Sequence, residues 1–386
     1  MNPLSKKIHT LMHTDPNGRP SYLESIMFGL SIIYGAGLKI RASGYKSGLL
    51  GSKKLPCKVI SVGNITAGGT GKTPMTIYLA RRIHQMGYRA AVISRGYRGR
   101  AEKSGGIVSN GREVFMGPQL AGDEPYMMAT YLKTIEVPVL VGRDRYRSGL
   151  LALDKFNPDV IILDDGFQHL KLARDINLIL LDNRRPFGNK FLLPRGTLRE
   201  PVPSLRRADI FILTRSDSGP EVPETNNLTV LDRYLNGRRL YKTTHVPVLY
   251  TWLKTGRQTT DADLAPSNSL STWNFSVLKG RKILAFSGIA NNDEFKQTLV
   301  DLGCDVTGFM GFQDHHRYSD NDIVKILESA KNTGADCLCT TDKDYARMEY
   351  MTQWPIDLAV IGVEISFGNE DADFNAFIKS RLERSK

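Results

Sequence analysis

The sequence predicts an α/β protein: a doubly wound parallel sheet, a second and smaller C-terminal α/β domain, and an amphipathic helix at the N-terminal end. Three observations predict it. Short apolar runs recur at Lys58–Val62, Ala90–Ser94, Val137–Val141, Val160–Leu163, Ile176–Leu181 and Ile210–Thr214, as in buried parallel strands. A helical period separates the first two, with Ile77, Leu79, Ala80 and Ile83 on one side of Lys72–Met86. The same alternation resumes near Lys282, after a stretch rich in Pro, Asn, Ser and Thr.

The later strands are expected at Ile283–Ser287, Asp305–Phe309 and Cys337–Thr341, and the later helices at Asp293–Leu302 and Asp320–Thr333. Pro220, Pro223, Gly237 and the polar tract Ser267–Asn274 mark residues 216–280 as a connecting region carrying a few strands, such as Val246–Leu253. The expected organisation is therefore an N-terminal membrane-associating segment over 1–55, a core over 56–215, the connection over 216–280 and the second domain over 281–386.

Composition narrows the class. The 386 residues suffice for two domains, and 41% hydrophobic with 24% charged residues excludes a disordered chain. A net charge of +12 favours an anionic partner: nucleic acid, anionic lipid or a phosphorylated substrate. No recognisable nucleic-acid module accompanies that charge, and no nucleic acid is expected as a partner. Cys57, Cys304, Cys337 and Cys339 lack disulfide or metal-ligand spacing and read as core thiols of a reducing compartment.

The polar N-terminus, with Ser5, Lys6 and Lys7, does not read as a cleavable signal peptide. The first apolar stretch, Ile26–Leu38, is shorter than the roughly 20 residues that cross a bilayer. Lys39, Arg41, Lys46, Lys53 and Lys54 follow it. Such a helix lies in a membrane interface or packs on the protein's own core, and sequence leaves both open.

The sharpest local signal is Ser61-Val62-Gly63-Asn64-Ile65-Thr66-Ala67-Gly68-Gly69-Thr70-Gly71-Lys72-Thr73, a strand, a glycine-rich turn and a helix start. Backbone N–H groups of Gly68, Gly69, Thr70 and Gly71 and the helix N-terminus suit phosphate oxygens. Lys72 would reach the β- and γ-phosphates of ATP, and Thr73 would bind Mg²⁺. Thr66 stands where the usual motif has its first glycine. The apolar strand ending in Asp164-Asp165 fits a second element that holds Mg²⁺ through a carboxylate; a turn or cap is the plain alternative.

Further strings follow: Ser94-Arg95-Gly96-Tyr97, Gly122-Asp123-Glu124-Pro125, Asp164-Asp165-Gly166-Phe167-Gln168-His169, Leu193-Pro194-Arg195-Gly196, Leu198-Arg199-Glu200-Pro201 and Phe312-Gln313-Asp314-His315-His316. In this order, over nearly the whole chain, the set resembles the tetraacyldisaccharide 4′-kinase (lipid A 4′-kinase) family, whose form of the phosphate loop includes Thr66. The resemblance implies an enzyme peripheral or monotopic on the cytoplasmic face of the bacterial inner membrane; a monomer is expected. It implies transfer of phosphate from ATP, with Mg²⁺, to the 4′-hydroxyl of an acylated glucosamine disaccharide 1-phosphate.

It also implies roles. A sugar hydroxyl must lose a proton as it attacks, and a carboxylate or imidazole accepts it. Asp123 takes that place and His315 orients it; without the resemblance Asp123 reads as a helix cap and His315 as part of a polar loop. Glu200 supports the metal and Arg199 neutralises phosphate charge. By their charge alone, Arg95 and Arg145, with Arg98, Arg143 and Arg147, read as cations for a phosphorylated sugar or lipid headgroups, or singly as ordinary charged surface. His169 is a supporting or capping residue, and Thr341-Asp342-Lys343-Asp344 has no evident role. Because Asp123 and His315 fall in different expected domains, closure of a cleft on ATP is expected to unite them. A membrane-associated P-loop switch explains the loop and the basic start, but neither of the strings carrying Asp123 and His315.

Overall fold

The structure, a computed structural model, describes residues 3–15, 20–217, 225–255, 275–348, 351 and 353–383. It divides into two compact units, the first drawn from 1–94, 144–245 and 365–386, the second from 95–143 and 246–364.

In the first unit six strands run in the order Ala90–Ser94, Val160–Asp164, Lys58–Gly63, Ile176–Asp182, Ile210–Thr214 and Arg239–Lys242. Every neighbouring pair is parallel. Val62 lies opposite Asp164 and Ile93 opposite Leu163, so the phosphate loop, Ser94 and the two aspartates leave the same end of the sheet. That end is where open α/β sheets place their ligands. The helix Lys72–Gln85 buries Met75, Leu79, Ala80 and Ile83 completely. A second cluster joins Ile65, Phe167, Ile179, Phe187, Leu205 and Phe211. Gly63 is required by close approach: a Cβ there would stand 2.5 Å from the Cβ of Phe167.

The N-terminal helix is longer than its apolar stretch suggested. Ser21 caps it, accepting from the Glu24 N–H at 3.3 Å while its own N–H donates to Glu24 Oε2 at 2.9 Å. This capping box starts the helix at Tyr22, and it continues through the basic residues to Lys46. At 25 residues it is long and apolar enough, by length and composition, to cross a membrane. One face is nevertheless committed to the first unit. Ser31 Oγ donates to the Leu192 carbonyl at 2.8 Å, Tyr34 to the Arg199 carbonyl at 2.9 Å and Arg41 to the Gln168 carbonyl at 2.8 Å. Ile26, Leu30, Ile33 and Ile40, at helical spacing on another face, are exposed.

The second unit holds five strands in the order Asp305–Gly311, Lys282–Ser287, Cys337–Thr341, Leu358–Ser366 and Thr244–Leu253. The first four are parallel. Gly106–Ser109 and Val139–Val141 form an antiparallel pair. Asn292–Asp301 is capped by Asn291, and Asp320–Thr333 by a Ser319–Asp322 capping box with Gly334 in the left-handed region at its end. Cys337 and Cys339 lie on one face of their strand in the core with Ile283, Ala285 and Ala359. Burial pushes the Cys337 thiol up to about 12.

The division corrects the boundaries expected from sequence. Residues 95–143 belong with 246–364 and not with the phosphate loop. The reason is a set of polar contacts between the helix Asp123–Leu132 and the segment that begins at Asp342. Arg347 Nε donates to Asp123 at 2.8 Å, Lys343 Nζ to Glu124 at 3.2 Å and the Tyr131 hydroxyl to Asp342 at 3.0 Å. Residues 365–386 return to the first unit, where Asp371 pairs with Arg82 at 3.0 Å and Phe374 packs against Tyr78. The N-terminal residues belong to that unit as well. Among its described residues the connection carries a helix at Thr225–Leu235, which was not expected, and strands at Arg239–Lys242 and Thr244–Leu253. Pro220, Pro223 and Ser267–Asn274 lie outside the described residues.

Candidate active site

The phosphate loop is braced from outside. The Ala67 N–H donates to the Thr197 carbonyl at 2.6 Å, and the Arg199 N–H to the Ile65 carbonyl at 2.7 Å. Gln168 Nε2 donates to the Asn64 carbonyl at 2.7 Å, and Asn64 Nδ2 to Thr70 Oγ1 at 2.9 Å. Arg215 donates to the Gly69 carbonyl at 2.9 Å. Gly68 and Gly71 have φ of 121° and 82°, whereas Thr66 is not in the left-handed region and bridges Leu198. A glycine at position 66 is therefore not needed; those at 68 and 71 are. A Cβ on Gly68 or Gly69 would meet nothing within 4 Å, so their backbone borders open space.

Gly71 caps the helix, and Lys72 and Thr73 open it. The buried Asp164 accepts from Ser94 Oγ at 3.0 Å and from Thr76 Oγ1 at 3.3 Å. Asp165, in the left-handed region at φ 49°, is gripped at both oxygens. Arg199 Nη1 donates to Oδ2 at 3.0 Å and Nη2 to Oδ1 at 2.7 Å, and Lys72 Nζ lies 3.8 Å from Oδ1. Burial raises the Asp165 carboxyl, but Lys72 and Arg199 outweigh it and hold it at about 2. Thr73, Asp164, Ser94 and Thr76 offer hard oxygens, the donor chemistry that suits Mg²⁺ beside phosphates. Among the described residues no three His, Cys, Asp or Glu side chains cluster as a metal cage.

The other expected residues take varied places. Glu200 is buried and paired with Arg207. Burial raises its carboxyl, and Arg207, Arg41 and Arg174 oppose that. Arg145 is buried at the start of the helix Arg145–Phe156. Burial, with Arg145 adding to it, lowers His169 to about 4, so that imidazole is neutral at physiological pH. In the second unit Arg95 pairs with Glu102 at 2.6 Å.

The second unit also assembles Asp123 and His315, 3.1 Å apart between Oδ2 and Nδ1. No closure of a cleft is needed to bring them together, contrary to the expectation from sequence. Asp123 opens its helix directly after Gly122, whose φ of 92° turns the chain sharply there. His315 has φ 61°, with its N–H donating to the Gly288 carbonyl at 3.0 Å. A non-glycine residue held this way marks local strain of the type found at working sites. Sequence reasoning missed Arg347, whose side chain is 4% exposed and whose Nε donates to the same Asp123 oxygen. Burial raises Asp123, and His315 and Arg347 together bring it below the usual carboxylate range. The one available signal was the unassigned run Thr341–Asp344, three residues before Arg347.

Comparison with known proteins identifies the family. The family model for tetraacyldisaccharide-1-P 4′-kinase matches residues 23–383. A tetraacyldisaccharide 4′-kinase from Desulfatibacillum aliphaticivorans is 37% identical over 386 residues, covering 99% of both chains. One from Syntrophus aciditrophicus is 40% identical over 344 residues, 87% of both. The crystal structure of LpxK from Aquifex aeolicus in complex with ATP superposes with a TM-score of 0.71 at 33% identity, covering 93% of this chain and 99% of that one. The chain belongs to the tetraacyldisaccharide 4′-kinase family.

Proposed function

We infer that this protein transfers the γ-phosphoryl group of ATP to the 4′-hydroxyl of a tetraacylated glucosamine disaccharide 1-phosphate, giving lipid IVA. The observation that carries the reading is the Asp123–His315 pair at 3.1 Å, in a chain of this family that also carries a braced phosphate loop. Membership of a kinase family favours transfer to a sugar hydroxyl over a regulatory switch that only hydrolyses nucleotide.

The residues divide the work. The loop N–H groups of Gly68–Gly71 and the helix start receive the phosphates, and Lys72 adds positive charge beside them. Thr73 and Asp164 are the residues that would hold Mg²⁺, with Asp165 beside them; the ion would neutralise charge on the transferring group. Asp165, kept ionised by Lys72 and Arg199, supports that end of the site. At the acceptor, Asp123 takes the proton of the 4′-hydroxyl as its oxygen bonds to the γ-phosphorus and ADP leaves with the electron pair of the broken bond. His315 orients the carboxylate. Arg95, Arg145 and Arg199 supply positive charge for the phosphates of the two substrates.

The exposed row Ile26, Leu30, Ile33 and Ile40 suits an acylated substrate drawn from a membrane. The face held by Leu192, Arg199 and Gln168 favours a helix lying in the interface over one crossing it. Use of ATP, a nucleotide of the cytoplasm, supports the cytoplasmic face as the side of the reaction. The test is incubation with labelled ATP, Mg²⁺ and tetraacyldisaccharide 1-phosphate in micelles. A phosphorylated glycolipid, lost in Lys72→Ala, is expected; ATP hydrolysis with an untouched glycolipid would reject the reading.

A further inference from the structure

The run Thr341-Asp342-Lys343-Asp344, which the reaction leaves without a role, is the start of a short buried network that ends on Asp123. Thr341 Oγ1 donates to Asp344 Oδ2 at 2.6 Å and accepts the Asp344 N–H at 3.1 Å. Asp344, fully buried, accepts at Oδ1 from the Gly288 N–H at 3.0 Å and from Arg347 Nη1 at 2.9 Å. The same Nη1 donates to the Gly288 carbonyl at 2.8 Å, which also receives the His315 N–H. Arg347 Nε then reaches Asp123 Oδ2 at 2.8 Å, and its Nη2 stands 3.3 Å from His315 Nδ1. One guanidinium therefore touches the carboxylate, the imidazole and the carbonyl that fixes the His315 backbone. Two flanking contacts, Lys343 to Glu124 and Tyr131 to Asp342, tie the helix that carries Asp123 to the same segment.

The bonds to Asp123 are lopsided. His315 and Arg347 both contact Oδ2, and among the described residues Oδ1 accepts no hydrogen bond. A carboxylate held by one oxygen keeps the lone pairs of the other for an incoming proton. We propose that Arg347 is a positioning residue for the phosphoryl transfer: anchored by Asp344 and Gly288, it fixes Oδ2 of Asp123 and sets Oδ1 as the atom that receives the sugar proton. This rests on the reading of Asp123 as the base. The fork is essential to it, since a lysine ammonium cannot meet Asp123, Asp344 and the Gly288 carbonyl in the geometry of a planar guanidinium.

The charged groups that meet Asp123 are His315 from the loop and Arg347 from the segment beginning at Asp342; of their charged neighbours, Asp314 lies against His315, Asp344 pairs with Arg347, and Glu124 of the same helix pairs with Lys343. Removal of Arg347 takes away positive charge, so the carboxyl protonates at higher pH and the acid limb of the kcat profile moves upward. The experiment measures kcat and KM against pH for the full-length enzyme with ATP and tetraacyldisaccharide 1-phosphate in micelles. The variants are Arg347→Met, Arg347→Lys, the double variant Arg347→Met/Asp344→Asn and Asp123→Asn. The double variant avoids stranding the Asp344 charge.

Both Met variants are expected to lose about 100-fold in kcat at neutral pH, the scale of a slightly misplaced group. Their KM for ATP stays unchanged, and their acid limb rises by about one pH unit or more. Arg347→Lys keeps the charge and loses the fork, so its limb moves less while kcat still falls about tenfold. Wild-type kcat and limb in either folded Met variant, beside an inactive Asp123→Asn, would overturn the role of Arg347 and leave Asp123 as base. If neither Met variant melts cooperatively, wild-type kcat in Arg347→Lys would overturn it equally. An active Asp123→Asn would instead remove the base reading itself.

Discussion

Two aspartates, one in each compact unit, are held by cations in opposite ways. Asp165 is met at both oxygens, by the Arg199 fork and by Lys72. Asp123 is met at Oδ2 alone, by His315 and Arg347. Both carboxyls end below their ordinary range although burial pushes each upward. The difference lies in what is left over. A carboxylate with both oxygens engaged is a fixed negative charge, suited to a site where cations and phosphates gather. One with a spare oxygen suits the proton acceptor proposed for Asp123, with its orientation already set. A displaced pKa therefore does not define a residue's task; the oxygen to which the partners bind does.

Substitutions sharpen that contrast, the largest effect first. Lys72→Ala removes the cation beside Asp165 that is proposed to meet the phosphates, and kcat/KM for ATP is expected to fall by about 100-fold or more in a steady-state assay. Arg199→Ala strips the fork from Asp165 but leaves Lys72. A loss of about tenfold is expected, with the Asp165 carboxyl rising from about 2 toward its ordinary value. Because that group is depressed in the folded protein, its stabilising contribution is present at neutral pH and is lost as pH falls toward about 2. Wild-type protein should therefore outlast Arg199→Ala in acid unfolding measured by circular dichroism.

Gly63→Ala tests the frame beneath the loop. Its Cβ would stand 2.5 Å from Phe167 Cβ and 2.9 Å from the Phe167 nitrogen, an overpacking expected to cost about 1–3 kcal/mol by chemical denaturation. Ile33→Asp, on the exposed row of the N-terminal helix, should leave stability nearly unchanged. It should weaken sedimentation with anionic vesicles by about tenfold, as one large apolar side chain is lost from the interface. Unchanged sedimentation would mean that this face does not meet lipid.

The first unit was largely legible in the sequence because its signals are local. Strand Lys58–Gly63, the glycine loop and the helix from Lys72 are contiguous, and each apolar run became a strand within one or two residues of its expected ends. The strands expected in the second unit formed equally closely, but Gly106–Ser109 and Leu358–Ser366 were not anticipated. The membership of that unit was not legible. Residues 95–143 join it through Asp123, Glu124 and Tyr131, whose partners lie more than 190 residues away. No period or spacing reports a contact of that kind; only the family resemblance paired Asp123 with His315. Arg347 escaped both routes, since a single arginine after a short helix has the appearance of any surface cation until its burial is seen. The length of the N-terminal helix was missed because hydropathy marks the apolar centre, whereas the capping residues Ser21 and Glu24 mark the start.

The measurement that tests the central claim most directly is single-turnover phosphorylation of tetraacyldisaccharide 1-phosphate by Asp123→Asn, with the affinity for a fluorescent ATP analogue recorded on the same protein. The account predicts normal nucleotide affinity and a loss of about 10²–10⁴ in the transfer rate, because only the proton acceptor has been removed. Transfer at the wild-type rate with nucleotide affinity intact would contradict it and show that the proton leaves by another route.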